Sequence, residues 1–175
     1  MKMTRIFLGC MVAAVMFSAC DKNDEDTNDL STQDQTFTAQ ASMSNNAEIQ
    51  MGTLALTKAQ DDAVRDFAQK MITDHTTAQA QLASVISGLE INLSDSLGAA
   101  NTATLQMLNG LSGHDFDTAY IGSQQRAHQT AISNFQTEVN SGNQQQLKSY
   151  ASDLLPKLQM HLTMADSVYN VIKTP

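Results

Sequence analysis

The chain has 175 residues, a formal net charge of −8, two cysteines and no tryptophan. That length suffices for one compact domain with its own core. The acidic balance repels phosphate backbones and argues against a nucleic-acid partner, and no basic patch suits an anionic lipid surface. Cys10 lies in an apolar start that is expected to be removed, and Cys20 follows it. The domain beyond is left without a disulfide or a cysteine nucleophile.

Residues 1–19 read as a lipoprotein signal peptide. Lys2 and Arg5 make a basic start, and Ile6 to Phe17 form an apolar run too short to span a bilayer as a helix. Phe17-Ser18-Ala19-Cys20 resembles a bacterial lipobox, with Phe17 where leucine is more usual; an ordinary secretory signal cut after Ala19 is the alternative. Cys20 is the expected lipidation site and the membrane the expected partner, through acyl chains. The expected location is the cell envelope, at the outer membrane on its periplasmic or surface-exposed face. Residues 20–30 hold the cysteine and an acidic run with a single terminal Leu30. This cannot bury itself and reads as a disordered tether, or as a surface-export signal.

From residue 31 to 175 helical periodicity dominates. The first predicted helix starts at Ser31-Thr32-Gln33-Asp34 and turns Phe37, Ala41, Ser44, Glu48, Met51 and Ala55 inward. The second starts at Asp61-Asp62, carries Val64, Ala68, Met71, His75, Ala78 and Leu82, and stops near Gly88. Residues 90–114 are long enough to cross the length of such a rod, and Leu97 to Leu111 suit a short extra helix. The third begins near His114-Asp115, carries Asp117, Ile121, Gln124, His128, Ala131 and Phe135, and ends at Ser141-Gly142-Asn143. The fourth carries Leu147, Ala151, Leu154, Leu158, His161 and Ala165, with a kink expected at Pro156. Stripes stepping by threes and fours, two short connections and one long one predict an all-α, ferritin-like antiparallel four-helix bundle with a long crossover. No solenoid-type repeat is present.

Glu48, His75, His128 and His161 fall in the apolar phase, one per helix and at comparable depth. Buried imidazoles and a carboxylate suit zinc or iron, and copper less well. Three residues before the histidines stand Ile72, Gln125 and Leu158, so the Glu-x-x-His pairs of di-iron bundles are absent and a mononuclear site is expected. Asp74, Asp117 and Tyr120 are candidates to orient the ligands. Met51, Met71, Met160 and Met164 read as gap-filling core, and His114 as an exposed residue. One alternative is a structural or interaction module of the envelope, whose buried Glu and His form a metal-free polar network and whose outer face binds a protein partner. Another is a pH-sensing bundle. No catalytic motif assigns a reaction.

Ala47-Glu48-Ile49, the run Phe67-Ala68-Gln69-Lys70-Met71-Ile72-Thr73-Asp74-His75, Phe116-Asp117-Thr118-Ala119-Tyr120, His128, and Leu155-Pro156 with His161 together resemble the domain of unknown function 4142 family. The resemblance covers about residues 33–172. It implies a ferritin-like helical bundle in an outer-membrane or periplasmic protein, and it implies no established activity.

Overall fold

A computed structural model of the protein describes residues 30–173; the apolar start, Cys20 and all but the end of the acidic stretch lie outside them. Ser31 opens α1 (Thr32–Lys58) with a reciprocal capping box. Its hydroxyl accepts from Asp34 N at 3.1 Å, and Asp34 Oδ2 accepts from Ser31 N at 2.7 Å. Asp61 caps α2 (Asp62–Val85) by accepting from Ala63 N at 2.8 Å. The crossover contains a short helix, α3 (Ala99–Asn109), entered through Gly98 at φ +75°, a conformation natural to glycine. Then come α4 (Gly113–Ser141) and α5 (Gln145–Ile172). The long helices pair as two hairpins, α1 with α2 and α4 with α5, joined by the crossover. This is the expected ferritin-like bundle, with the extra helix in place. α5 runs unbroken through Pro156, whose ring and the freed Ser152 carbonyl both sit on exposed residues.

The predicted stripes form the core. One apolar cluster surrounds Met51, Phe67, Met71, Phe116, Tyr120 and Ile121; the other surrounds Phe37, Leu82, Phe135, Leu147 and Tyr150. Gly52 permits the close approach of α1 to α2, because a Cβ there would lie 2.8 Å from Ile72 Cγ1 and 3.1 Å from the Ala68 carbonyl.

Each hairpin turn is held by a buried aspartate from the other hairpin. Asp117, near the start of α4, accepts from Gln60 N at 3.1 Å and Asp61 N at 2.9 Å in the α1–α2 turn. Asp34, in the first turn of α1, accepts from Asn143 N at 3.0 Å and Gln144 N at 3.1 Å in the α4–α5 turn. The two anchors correspond in one gapless register. In that register Phe37 falls on Tyr120, Val64 on Leu147, Arg65 on Lys148, Phe67 on Tyr150 and Ala68 on Ala151. The two hairpins thus carry anchors at equivalent positions, a correspondence too sparse in identities to stand out in the sequence. Burial opposes the ionised form of Asp34, but hydrogen bonds from Ser31 and from the Gln144 and Ser31 backbone hold its pKa below the usual value.

Asp117→Ala removes the charged acceptor of two turn N–H groups, and is expected to destabilise the domain by about 3 kcal/mol in chemical denaturation. A loss below about 0.5 kcal/mol would show that the turn holds without this anchor.

Candidate metal centre

The apolar stripes of α2, α4 and α5 carry His75, His128 and His161 into the bundle, where they are 4%, 2% and 1% exposed. Their rings pack with centroids 5.7, 5.6 and 5.3 Å apart. One ring nitrogen from each lies within 4.8 Å of the other two, close enough for the three to hold a metal ion.

The surroundings decide which nitrogens these are. His128 Nδ1 faces its own helix, 2.9 Å from the Gln124 carbonyl, which only accepts; Nδ1 therefore carries the proton and Nε2 the lone pair. His161 Nε2 lies 2.8 Å from Asp74 Oδ2, so Nε2–H donates and Nδ1 keeps the lone pair. His75 is set by a longer chain anchored in the crossover. The Ser94 carbonyl accepts from Ser42 Oγ at 2.9 Å, and Ser42 Oγ accepts from Gln79 Nε2 at 2.9 Å. Gln79 Oε1 accepts from Asn45 Nδ2 at 3.1 Å, which leaves Asn45 Oδ1 to accept from His75 Nδ1 at 2.9 Å. His75 Nε2 is then a buried lone pair with no partner among the described residues. All three N–H groups point outward to protein acceptors, and the three lone pairs converge. His128 Nε2 and His161 Nδ1 face each other at 3.3 Å with neither proton between them.

Burial favours neutral imidazoles. It pushes the His75 pKa well below the usual value, helped by the other two histidines, and lowers that of His128 to about 4. His161 is lowered by burial against the pull of Asp74. Burial would raise Asp74, but hydrogen bonds from His161 and Lys70 and the charge of Lys157 bring it down to about 2. Lys70 Nζ lies 3.0 Å from Asp74 Oδ2, and Lys157 Nζ 3.6 Å from Oδ1. A small pocket beside the cluster is lined by Asn45, Asp74, His75, Lys157, Leu158 and His161.

Asp74 orients a ligand candidate on another helix, as its position beside His75 allowed. Glu48 is buried at 2% exposure but is not in the 4.8 Å group. It stands on α1 one turn beyond Asn45, next to Gln124 and Tyr120, where burial lifts its carboxyl to about 7 against the neighbouring Gln124 amide. Asp117 orients no histidine, because its carboxylate is taken by the α1–α2 turn. Tyr120 does not reach one either: its hydroxyl is buried near Glu48 with no partner among the described residues, and Glu48 adds to the burial that raises its pKa. Met51 and Met71 lie in an apolar cluster and Met160 is 41% exposed, while His114 is exposed. Asn45, Gln79 and Ser42 were not singled out in the sequence. The signal available was a polar side chain adjoining the apolar stripe, Ser42 and Asn45 on α1 and Gln79 on α2, a feature shared with many solvated helices.

A ferritin-like helical bundle with a buried three-histidine cluster is therefore the class that fold and site define. The chain belongs to the DUF4142 family, a domain of unknown function whose model matches residues 20–168. Its fold is similar to that in the crystal structure of a DUF305 fragment from Deinococcus radiodurans, with a TM-score of 0.68 and 13% identity over 81% of this chain and 97% of that one. No curated protein matches the sequence.

The buried carboxyl of Glu48 makes a pH prediction for the metal-free protein. Unfolded, it ionises near 4.5; folded, it keeps its proton to about 7. The folded state binds the extra proton between those values, so stability falls as pH rises through them. The three histidines, lowered on folding, act oppositely and lose stability as pH falls below 6.5. Glu48→Gln isolates the carboxyl. Its stability relative to the parent should be constant below pH 4.5, rise between 4.5 and 7, and level off roughly 3 kcal/mol higher. Urea unfolding of chelator-treated protein at several pH values reads this directly, and a pH-independent difference would refute it.

Proposed function

We propose that the domain binds one transition-metal ion through His75 Nε2, His128 Nε2 and His161 Nδ1, and that the chain carries this site at the bacterial cell envelope. The carrying observation is the pair of facing lone pairs, His128 Nε2 and His161 Nδ1, 3.3 Å apart in a buried place. Two unprotonated nitrogens repel at that distance, and a cation between them reverses the sign. Outward acceptors on all three rings are what metal-bound histidines ordinarily have, since they fix the ring and raise its basicity.

Three neutral imidazoles, with no cysteine among the described residues, suit zinc or ferrous iron ahead of copper(I). Such a set leaves a fourth position for a small ligand, the arrangement of catalytic rather than structural zinc sites. Metal handling is the role this supports best. The lipobox-like Phe17-Ser18-Ala19-Cys20 and the acidic residues after it support a lipid anchor on Cys20 and placement at the outer membrane. Among the described residues no helix is long and apolar enough to cross a membrane, so this reading rests attachment on the acyl chains.

A metal-free structural module is the second reading, and the same 3.3 Å contact favours it if one proton is shared between the two rings. Elemental analysis separates the two. The domain from residue 31 on, made without a histidine tag, is expected to carry close to one zinc or iron per chain. The His75→Ala, His161→Ala variant should lose it while remaining helical. A folded parent that stays empty after incubation with zinc, ferrous iron and copper would overturn the metal reading and leave the polar network.

A further inference from the structure

Beside the three histidines lies a second group of buried polar atoms that the proposed metal reading does not use. Glu48 Oε2, Tyr120 Oη, and both Gln124 Oε1 and Nε2 lack a hydrogen bond of good geometry among the described residues, although the Gln124 amide stands close enough to Glu48 to favour its ionised form. Their residues are at most 4% exposed. Orphaned buried polar atoms are rare in native proteins, and several together mark a bound molecule. These belong together. Tyr120, Gln124 and His128 follow one another at single turns along one face of α4, and Glu48 of α1 lies next to both Gln124 and Tyr120.

The geometry of the bundle says which side of the cluster they occupy. Three of the four long helices each supply a converging histidine nitrogen, and α1 supplies none. At this depth α1 presents Asn45, committed to His75 and Gln79, and one turn further along the bundle axis it presents Glu48, outside the 4.8 Å group. The side of the cluster that faces along the bundle axis toward the α1–α2 turn therefore looks onto Glu48 and Gln124, with Tyr120 one turn further.

We propose that this side of the cluster is a ligand chamber. Glu48, Tyr120 and Gln124 hold a water molecule, or a water-sized anion in its place, at the fourth position of the metal held by the histidines. An amide, a phenol and a carboxyl offer both donors and acceptors, and a buried water makes about three hydrogen bonds. The chamber admits only small ligands, because apolar side chains of the Met51 and Tyr120 cluster close it beyond Glu48.

The inference rests on the metal reading, and its test separates the two. The full chain, without a histidine tag, is loaded with cobalt(II) and titrated with azide while the visible absorption is followed. Saturable azide binding is expected. Tyr120→Phe removes a hydroxyl that no protein group uses, so the fold should hold. Below pH 7, where Glu48 keeps its proton, that variant and Glu48→Leu each lose a hydrogen-bond donor and should weaken azide at least roughly tenfold, with cobalt binding unchanged. Cobalt bound with no response to azide, or with equal azide affinity in parent and variants, would overturn the chamber and spare the metal site. Failure to bind cobalt would overturn both. In a high-resolution crystal structure of the metal-free chain, an ordered solvent peak within reach of Glu48, Tyr120 and Gln124 is expected, and a dry chamber would refute the proposal.

Discussion

Burying an imidazole forces a choice of tautomer, and here the choice at each ring is dictated from outside. A helix carbonyl takes the proton of His128, the Asp74 carboxylate takes that of His161, and the Asn45 side chain takes that of His75. Acceptors that cannot donate stand at the end of each arrangement, so no internal rearrangement of hydrogens relieves the inward-facing lone pairs. Low dielectric works in the same direction, since it penalises the imidazolium that would otherwise supply the missing positive charge. The chemistry proposed for the domain follows from this constraint: the protein has placed three electron pairs where a cation belongs.

The scaffold supports that arrangement at some distance. His75 depends on Ser94, which is held on α1 by Ser42 and by Asn46 Nδ2 at 2.8 Å. The crossover is thus more than a connection between hairpins, because its backbone carbonyl orients a side chain two helices away. The turn anchors Asp34 and Asp117 work similarly, each tying one hairpin to the other and setting the depth at which their histidines meet. The site itself departs from the internal two-hairpin correspondence. In that register His128 falls on Asn45, His161 on Ala78 and His75 on Leu158. Only one histidine cluster results, and the counterpart of one ligand candidate has become the group that orients another.

The charged groups at the rim and in the depth have different roles. Asp74, only partly buried, sits between His161 and two lysines and stays ionised. Glu48, wholly enclosed, keeps its proton to about 7. One carboxylate therefore contributes a permanent charge near the histidines and the other only a conditional one.

Much of this was legible in the sequence. Periodicity in threes and fours located the four long helices, the long interval between the second and third required a crossover, and a histidine in the apolar phase of three helices implied a meeting point. These are local properties of one helix at a time, set by 3.6 residues per turn. The outward partners were not legible. Asn45, Gln79 and Ser42 matter because of their neighbours across α2 and the crossover, and Asp117 proved to serve a turn because the start of α4 lies against residues 60 and 61. Whether Glu48 lies inside the cluster or one turn beyond it depends on the relative axial shift of α1. A stripe specifies which face of a helix is buried. The sliding of one helix along another, the tautomer of each ring and the atoms left without partners are decided by contacts between segments, and those exist only once the chain has folded.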